Sequence, residues 1–151
     1  QYNLFTRECF EVDYSRLYKE VGLGTTVWSP LSRGELVGHY LEEKGGKFVV
    51  SKQGNAWLKE AGLPSGYDAR VKQVAAFACI ARELEITPAR LALAWVLKNS
   101  NVTTAILGAS NTNHLKENLK AIGDVSLLTN AVMGQIESIF QTSPVPEETF
   151  R

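Results

Sequence analysis

The sequence predicts an α/β fold in which parallel strands alternate with helices that cover them. Three observations carry this. The β-branched stretches that end near Trp28 and at Gly108 read as strands, and the residues between them are long enough for a helical crossover. The run Leu91-Ala92-Leu93-Ala94-Trp95-Val96-Leu97 is apolar nearly all round, so it has to be buried between layers. Two good strands and one partial strand cannot close a barrel. The pattern is that of a (β/α) barrel of which only a portion is present, with an unpaired edge left over. The chain lacks an initiator Met and opens in strand-like sequence, so it is expected to be a piece of a longer one.

In chain order, Tyr2 to Phe5 is short and apolar, consistent with a strand end. A helix is predicted at Val12–Val21, with Val12, Leu17 and Val21 in phase and Gly22 as its stop. Leu23 to Leu31 is a strand emptying into a loop at Pro30. Ser32 to Gly66 has no sustained period and reads as a long connection, the kind that serves function or moves. A helix then starts with Asp68 as N-cap, its stripe formed by Val71, Val74, Ala75, Ala78, Ala81 and Leu84. Thr87-Pro88 starts the next helix, a capping hydroxyl followed by Pro where its missing N–H costs little. Thr103 to Leu107 is a strand closed by Gly108. Helices follow at Asn113–Ile122, with Leu115, Leu119 and Ile122 on one face, and at Thr129–Phe140, with Val132, Ile136 and Phe140 in phase. The tail from Ser143 carries prolines and is expected to be loosely held.

Composition narrows the function classes. Lys+Arg and Asp+Glu number 16 each, so no broad positive field gathers phosphates and nucleic acid is not an expected partner. One anionic ligand held locally remains compatible with that balance. The apolar runs are too short to span a bilayer, and the N-terminus lacks the features of a signal peptide. Cys9 and Cys79 have neither disulfide-framework nor metal-ligand spacing. Cys79 reads as a buried structural thiol and the pair fits a reducing, cytosolic compartment.

Two strand-to-loop junctions are the places where chemistry can sit. Trp28-Ser29-Pro30-Leu31-Ser32-Arg33-Gly34 combines an aromatic side chain with small residues and a proline, which lets backbone N–H groups approach a ligand. A core Trp beside an ordinary turn has the same pattern. Gly108-Ala109-Ser110-Asn111 runs into a helix bearing Glu117 and Asn118, which makes either an anion-binding corner or an ordinary capped turn. The pair gains weight together, because loops after the last two strands of (β/α)8 barrels often build a phosphate site.

The segments QYNLF, TTVWSPLSRGELVGHY, TPARLALAWVLKNSNV and AILGASNTNHLKENLKAI, in this order and spacing, resemble the aldo-keto reductases, and within them the voltage-gated potassium channel β subunits. The resemblance implies the C-terminal portion of an eight-stranded TIM-type barrel, incomplete as it stands, over residues 1–142, with residues 143–151 as a tail. Tyr2–Phe5 would end the sixth strand, Gly24–Trp28 form the seventh and Thr103–Leu107 the eighth. It further implies an NADP(H) site. Trp28 would stack on the nicotinamide. Ser29, Pro30, Leu31, Ser32 and Arg33 would wrap the pyrophosphate and ribose. Gly108, Ser110, Glu117 and Asn118 would hold the adenosine end.

The chain departs from the family at three positions. His39 stands where a Lys is usual, His114 where a Gln is usual, and Val49 where an Arg faces the 2′-phosphate. Lys47 or Lys52 would be the nearest replacement, without the bidentate fork of Arg. The family's catalytic Tyr, Lys, Asp and His belong to earlier strands and have no match here, so this chain is expected to have no catalytic residue, no metal site and no activity alone. The intact parent would reduce an aldehyde or ketone. The alternative is a cytoplasmic accessory subunit, with a potassium channel α subunit at the membrane and copies of itself in a homotetramer as partners, and a cofactor serving as redox sensor. A third reading is a truncated product that folds poorly.

Overall fold

The computed structural model describes residues 1–45, 47–50, 53 and 67–145; the side chains of residues 43, 47–50, 67 and 68 fall outside that description. Three segments meet at one edge of the molecule. Strand β1 (Thr26–Val27) pairs in parallel with β4 (Thr104–Ala105), Thr26 opposite Thr104 and Val27 opposite Ala105. The Tyr2 N–H donates to Trp28 O at 3.3 Å, which brings the first segment to the other side of β1. The strands predicted around Thr26 and Thr104 are therefore present but shorter, whereas Tyr2–Phe5 is not a strand: it folds into a tight turn closed by an isolated bridge between Asn3 and Thr6.

The first helical region differs from the expectation. A π-helical turn, Cys9–Asp13, precedes α1 (Ser15–Glu20). Leu17 and Val21 are exposed, while Phe10 is buried and Tyr18 donates from its hydroxyl to Phe10 O at 2.8 Å. The wide turn shifts the phase, so the aromatic residues face inward instead. Gly22, at φ 64°, does end the run in the left-handed conformation that favours glycine.

The connection after β1 has more structure than its composition suggests. A 3-10 turn over Ser32–Val37 leads into an antiparallel hairpin of β2 (Leu41–Lys44) and β3 (Lys47–Val50). Helix α2 (Tyr67–Glu83) follows, and Asp68 lies inside it, not ahead of it as a cap. Val74, Phe77, Ala78, Ile80 and Ala81 form its buried face.

Helix α3 (Pro88–Lys98) is the centre of the molecule. Thr87 Oγ1 accepts from the Arg90 N–H at 3.2 Å, the cap that its position before Pro88 predicts. Leu91 through Val96 are all buried. Each fully buried Leu of this kind contributes roughly 1.5–3 kcal/mol. Around it pack the aromatic residues: Tyr2 stacks on Phe10 at 4.2 Å and tilts against Trp95 at 5.3 Å, and Phe77 meets Phe140 edge-on at 5.5 Å. Burial raises the Tyr2 hydroxyl's pKa far above its ordinary value, so the group stays protonated; it donates to Glu11 Oε1 at 2.7 Å and accepts from Asn99 Nδ2 at 3.0 Å.

Helix α4 (Thr112–Leu119) is capped by Asn111, whose Oδ1 accepts from the His114 N–H at 2.9 Å, and a short turn, α5 (Ala121–Asp124), continues it. The stripe of Leu115, Leu119 and Ile122 is exposed, not packed. Asn118, Ala121 and Asp124 are buried in its place, Asp124 against Arg90 of α3. The last helix, α6 (Asn130–Phe140), buries Ile136 and Phe140 as its phase predicts. Arg7 ties it to the chain's first residues, pairing with Glu11 at 3.0 Å and Glu137 at 2.6 Å beneath its cation–π contact with Trp95. The start of the tail is held as well: Thr142 Oγ1 donates to Leu4 O at 2.7 Å and the Ser143 N–H to Glu137 Oε1 at 2.9 Å. Cys79 is half-buried and Cys9 exposed. Among the described residues no helix is long and apolar enough to cross a membrane.

Candidate functional site

The first wall of the site is the turn that follows β1. Its backbone is strained: Ser29, Ser32 and Arg33 hold φ of 55°, 49° and 55°, and Gly34 follows at 94°. Left-handed conformations cost non-glycine residues roughly 1–2 kcal/mol each, so a cluster of them persists only where the surroundings hold it. Asn3 is one such hold. Fully buried, it donates from Nδ2 to Ser29 O at 2.9 Å, while its Oδ1 accepts from the N–H groups of Phe5 and Thr6. Ser29 O also accepts from the Ser32 N–H at 3.0 Å. Below the turn, Pro30 and Leu36 are buried, and Glu35 receives Arg70 at 3.3 Å. The outcome is a rigid corner with the Trp28 indole standing half exposed above it, at 50%.

The second wall is the corner between β4 and α4. Gly108, Ala109 and Ser110 are exposed, and Ser110 Oγ lies 2.9 Å from His114 Nδ1. His114, in the first turn of α4, also faces this space, while its backbone N–H is taken by Asn111 Oδ1.

Between the walls lies an open hollow of about 720 Å³, within the usual range for small-ligand sites. Of the ten residues that the sequence marks for cofactor binding, Trp28, Ser29, Pro30, Leu31, Arg33, Gly108, Ser110, Glu117 and Asn118 line it. Ser32 does not; it is buried beneath the turn. His114 joins the lining, whereas His39 sits edge-on to Tyr40 outside it. Lys52 lies outside the described residues, as do the side chains of Lys47 and Val49. The sequence reading missed Val37, Ala89 and Ile106, which supply apolar wall, and Asn3, which anchors the turn from behind. A lone Asn at a strand end carries no signal for that role.

The polar end of the hollow is an ion network. Lys120 Nζ donates to Glu117 Oε2 at 2.7 Å and Arg90 Nη1 to Glu117 Oε1 at 3.3 Å. Both partners favour the carboxylate, Lys120 most, and hold its pKa below the ordinary value against the opposing effect of desolvation. Arg90 is gripped in turn by Asp124, Nε to Oδ2 at 2.7 Å and Nη2 to Oδ1 at 2.6 Å, a bidentate fork. That pairing is the leading cause of the raised pKa of Arg90.

Asn118 is the most informative residue in the hollow. It is only 7% exposed and lines the cavity, and its side-chain amide has no hydrogen bond to any described residue. The amide stands open to the hollow, where its donor and acceptor are available to a ligand. An indole face, a hydroxyl, an amide and a carboxylate around one hollow fit a nicotinamide–adenine dinucleotide in their donor and acceptor set. Among the described residues no group of His, Cys, Asp and Glu could hold a metal ion.

The sequence model of the aldo/keto reductase family matches residues 1–141. The chain is 38% identical over 151 residues to a "Probable voltage-gated potassium channel subunit beta" of Oryza sativa subsp. japonica, and 36% identical over 151 residues to a protein of the same name from Arabidopsis thaliana. A "Putative voltage-gated potassium channel subunit beta" of Schizosaccharomyces pombe is 37% identical over 145 residues. These matches cover 100%, 100% and 96% of the chain but 45%, 45% and 42% of the relatives, so the chain spans less than half of their length. That family is built on a TIM barrel and typically uses NAD(P)H. The chain belongs to the aldo/keto reductase family.

Proposed function

We propose that this chain is the NADP(H)-binding, C-terminal half of an aldo/keto reductase barrel over residues 1–142, with residues 143–151 as a tail. The observation that carries the reading is the Asn118 amide, unpaired among the described residues and open to the hollow that Trp28 also lines. When bound, the reduced nicotinamide supplies a hydride for an aldehyde or ketone. Trp28 offers it a flat apolar face, and the strained turn from Ser29 to Arg33 keeps the pyrophosphate side rigid. Ser110, Glu117 and Asn118 bind the adenosine end, with Gly108 leaving room for close approach. Proton transfer to the carbonyl oxygen needs an acid beside it, and no residue of this hollow is placed in that role. The reaction belongs to the intact parent, and the chain alone is inactive.

The test is an NADPH titration read by tryptophan fluorescence. Quenching is expected, and Trp28→Phe removes most of it. Asn118→Ala weakens binding about tenfold, the worth of one lost pair of amide hydrogen bonds. Undiminished quenching in Trp28→Phe would show that the indole does not meet the cofactor.

A second reading is favoured by the names of the three relatives. In it the parent is a cytoplasmic, peripherally membrane-associated β subunit, a homotetramer bound to a potassium channel α subunit, and the cofactor reports redox state to the channel. Co-purification of the parent with a channel's cytoplasmic domain supports this reading; activity without any channel association goes against it.

A further inference from the structure

We infer that Arg90, clamped by Asp124, is a positioning residue that sets the Glu117 carboxylate at the adenosine end of the hollow. The inference rests on the cofactor reading above and adds to it a residue on a different helix. Glu117 stands between two cavities. On one side is the hollow lined by Trp28 and Asn118; on the other is a smaller one, about 530 Å³, lined by Arg82, Glu85, Pro88 and Arg90. Arg90 does not line the first cavity, so it reaches Glu117 from behind and takes no space from a ligand.

The geometry is one of restraint. The Arg90 guanidinium spends Nε and Nη2 on Asp124, which is nearly buried, and this fixes the plane of the fork. The remaining Nη1 then points one N–H at Glu117 Oε1, while Lys120 takes Oε2. Each carboxylate oxygen accepts more than one hydrogen bond, so both keep a free acceptor direction toward the hollow. A side chain held at both oxygens has already lost its rotamer freedom and presents that acceptor without further ordering on binding. Lys120, more than half exposed, is a flexible partner; Arg90 is the rigid one.

The test compares two halves of the cofactor, ADP and nicotinamide mononucleotide, binding to the chain by calorimetry. In Arg90→Gln, ADP affinity is expected to fall roughly three- to tenfold while mononucleotide affinity stays unchanged. Arg90→Lys restores part of the loss, keeping the charge without the fork, and Asp124→Asn weakens ADP in the same direction through the loosened clamp. Equal weakening for both probes would mean general loosening of α3 against α4 and would overturn the inference, as would unchanged ADP binding. Wild-type chain that binds neither probe overturns the cofactor reading itself, which the other outcomes leave standing.

Discussion

Helices α3 and α4 look alike in sequence and fare oppositely in the structure. Both have leucines at helical spacing, and both begin with a hydroxyl or amide cap one residue ahead. In α3 the apolar residues from Leu91 to Val96 are all buried. In α4 and the turn after it, Leu115, Leu119 and Ile122 are 41%, 52% and 67% exposed, while the polar Asn118 is buried. Periodicity specifies which residues share a face; the neighbours decide which face is covered. The difference also divides labour: α3 holds the core together, and α4 turns its polar face to the hollow and its neighbours.

The comparison can be broken at its strongest point first. Leu91→Ala is expected to destabilise the chain by about 2–5 kcal/mol in urea unfolding, because the side chain is completely enclosed. Leu119→Ala, the counterpart on α4, should change stability by less than about 0.5 kcal/mol. Equal effects would mean that the α4 stripe is covered in solution. The caps come next. Thr87→Ala and Asn111→Ala should each cost about 1 kcal/mol in urea unfolding, since each removes a side-chain acceptor from one helix N–H.

The smallest effect is a pH dependence confined to the α4 side. The folded pKa of Glu117 lies below its ordinary value of 4.5, so its contribution to stability is fully present above that pH and is lost as pH falls through the folded value. The gap in melting temperature between wild type and Lys120→Gln should therefore close on acidification. A gap that persists below that range would assign the effect of Lys120 to something other than this carboxylate.

Sequence reading reached far where local rules govern. The cap at Thr87, the buried run in α3, the phase of α6 and the paired strands at Thr26–Val27 and Thr104–Ala105 all follow from spacing and turn chemistry. It reached less far where tertiary contacts override local preference. The π-helical turn after Thr6 rotates the inward face from Leu17 and Val21 to Phe10 and Tyr18. The hairpin over Leu41–Val50 has few apolar residues in its first strand and so gave no alternating signal. At the site, the two loops were legible because glycine, serine and proline gather there. Asn3, Arg90 and Asp124 were not, since each acts through a partner far along the chain, and such pairing leaves no local pattern.

Arg7 and Glu137 are separated by 130 residues, and Thr142 and Leu4 by 138. Bringing such distant residues together carries the full entropic penalty of closing a very large loop, with only a handful of contacts in return until the core forms. The edge that presents Ser29 and Trp28 is fastened through this seam, since Asn3 lies within it. Loosening the seam at Arg7 or Thr142 is therefore expected to reach the turn at Ser29 through Asn3, although the turn itself touches neither residue.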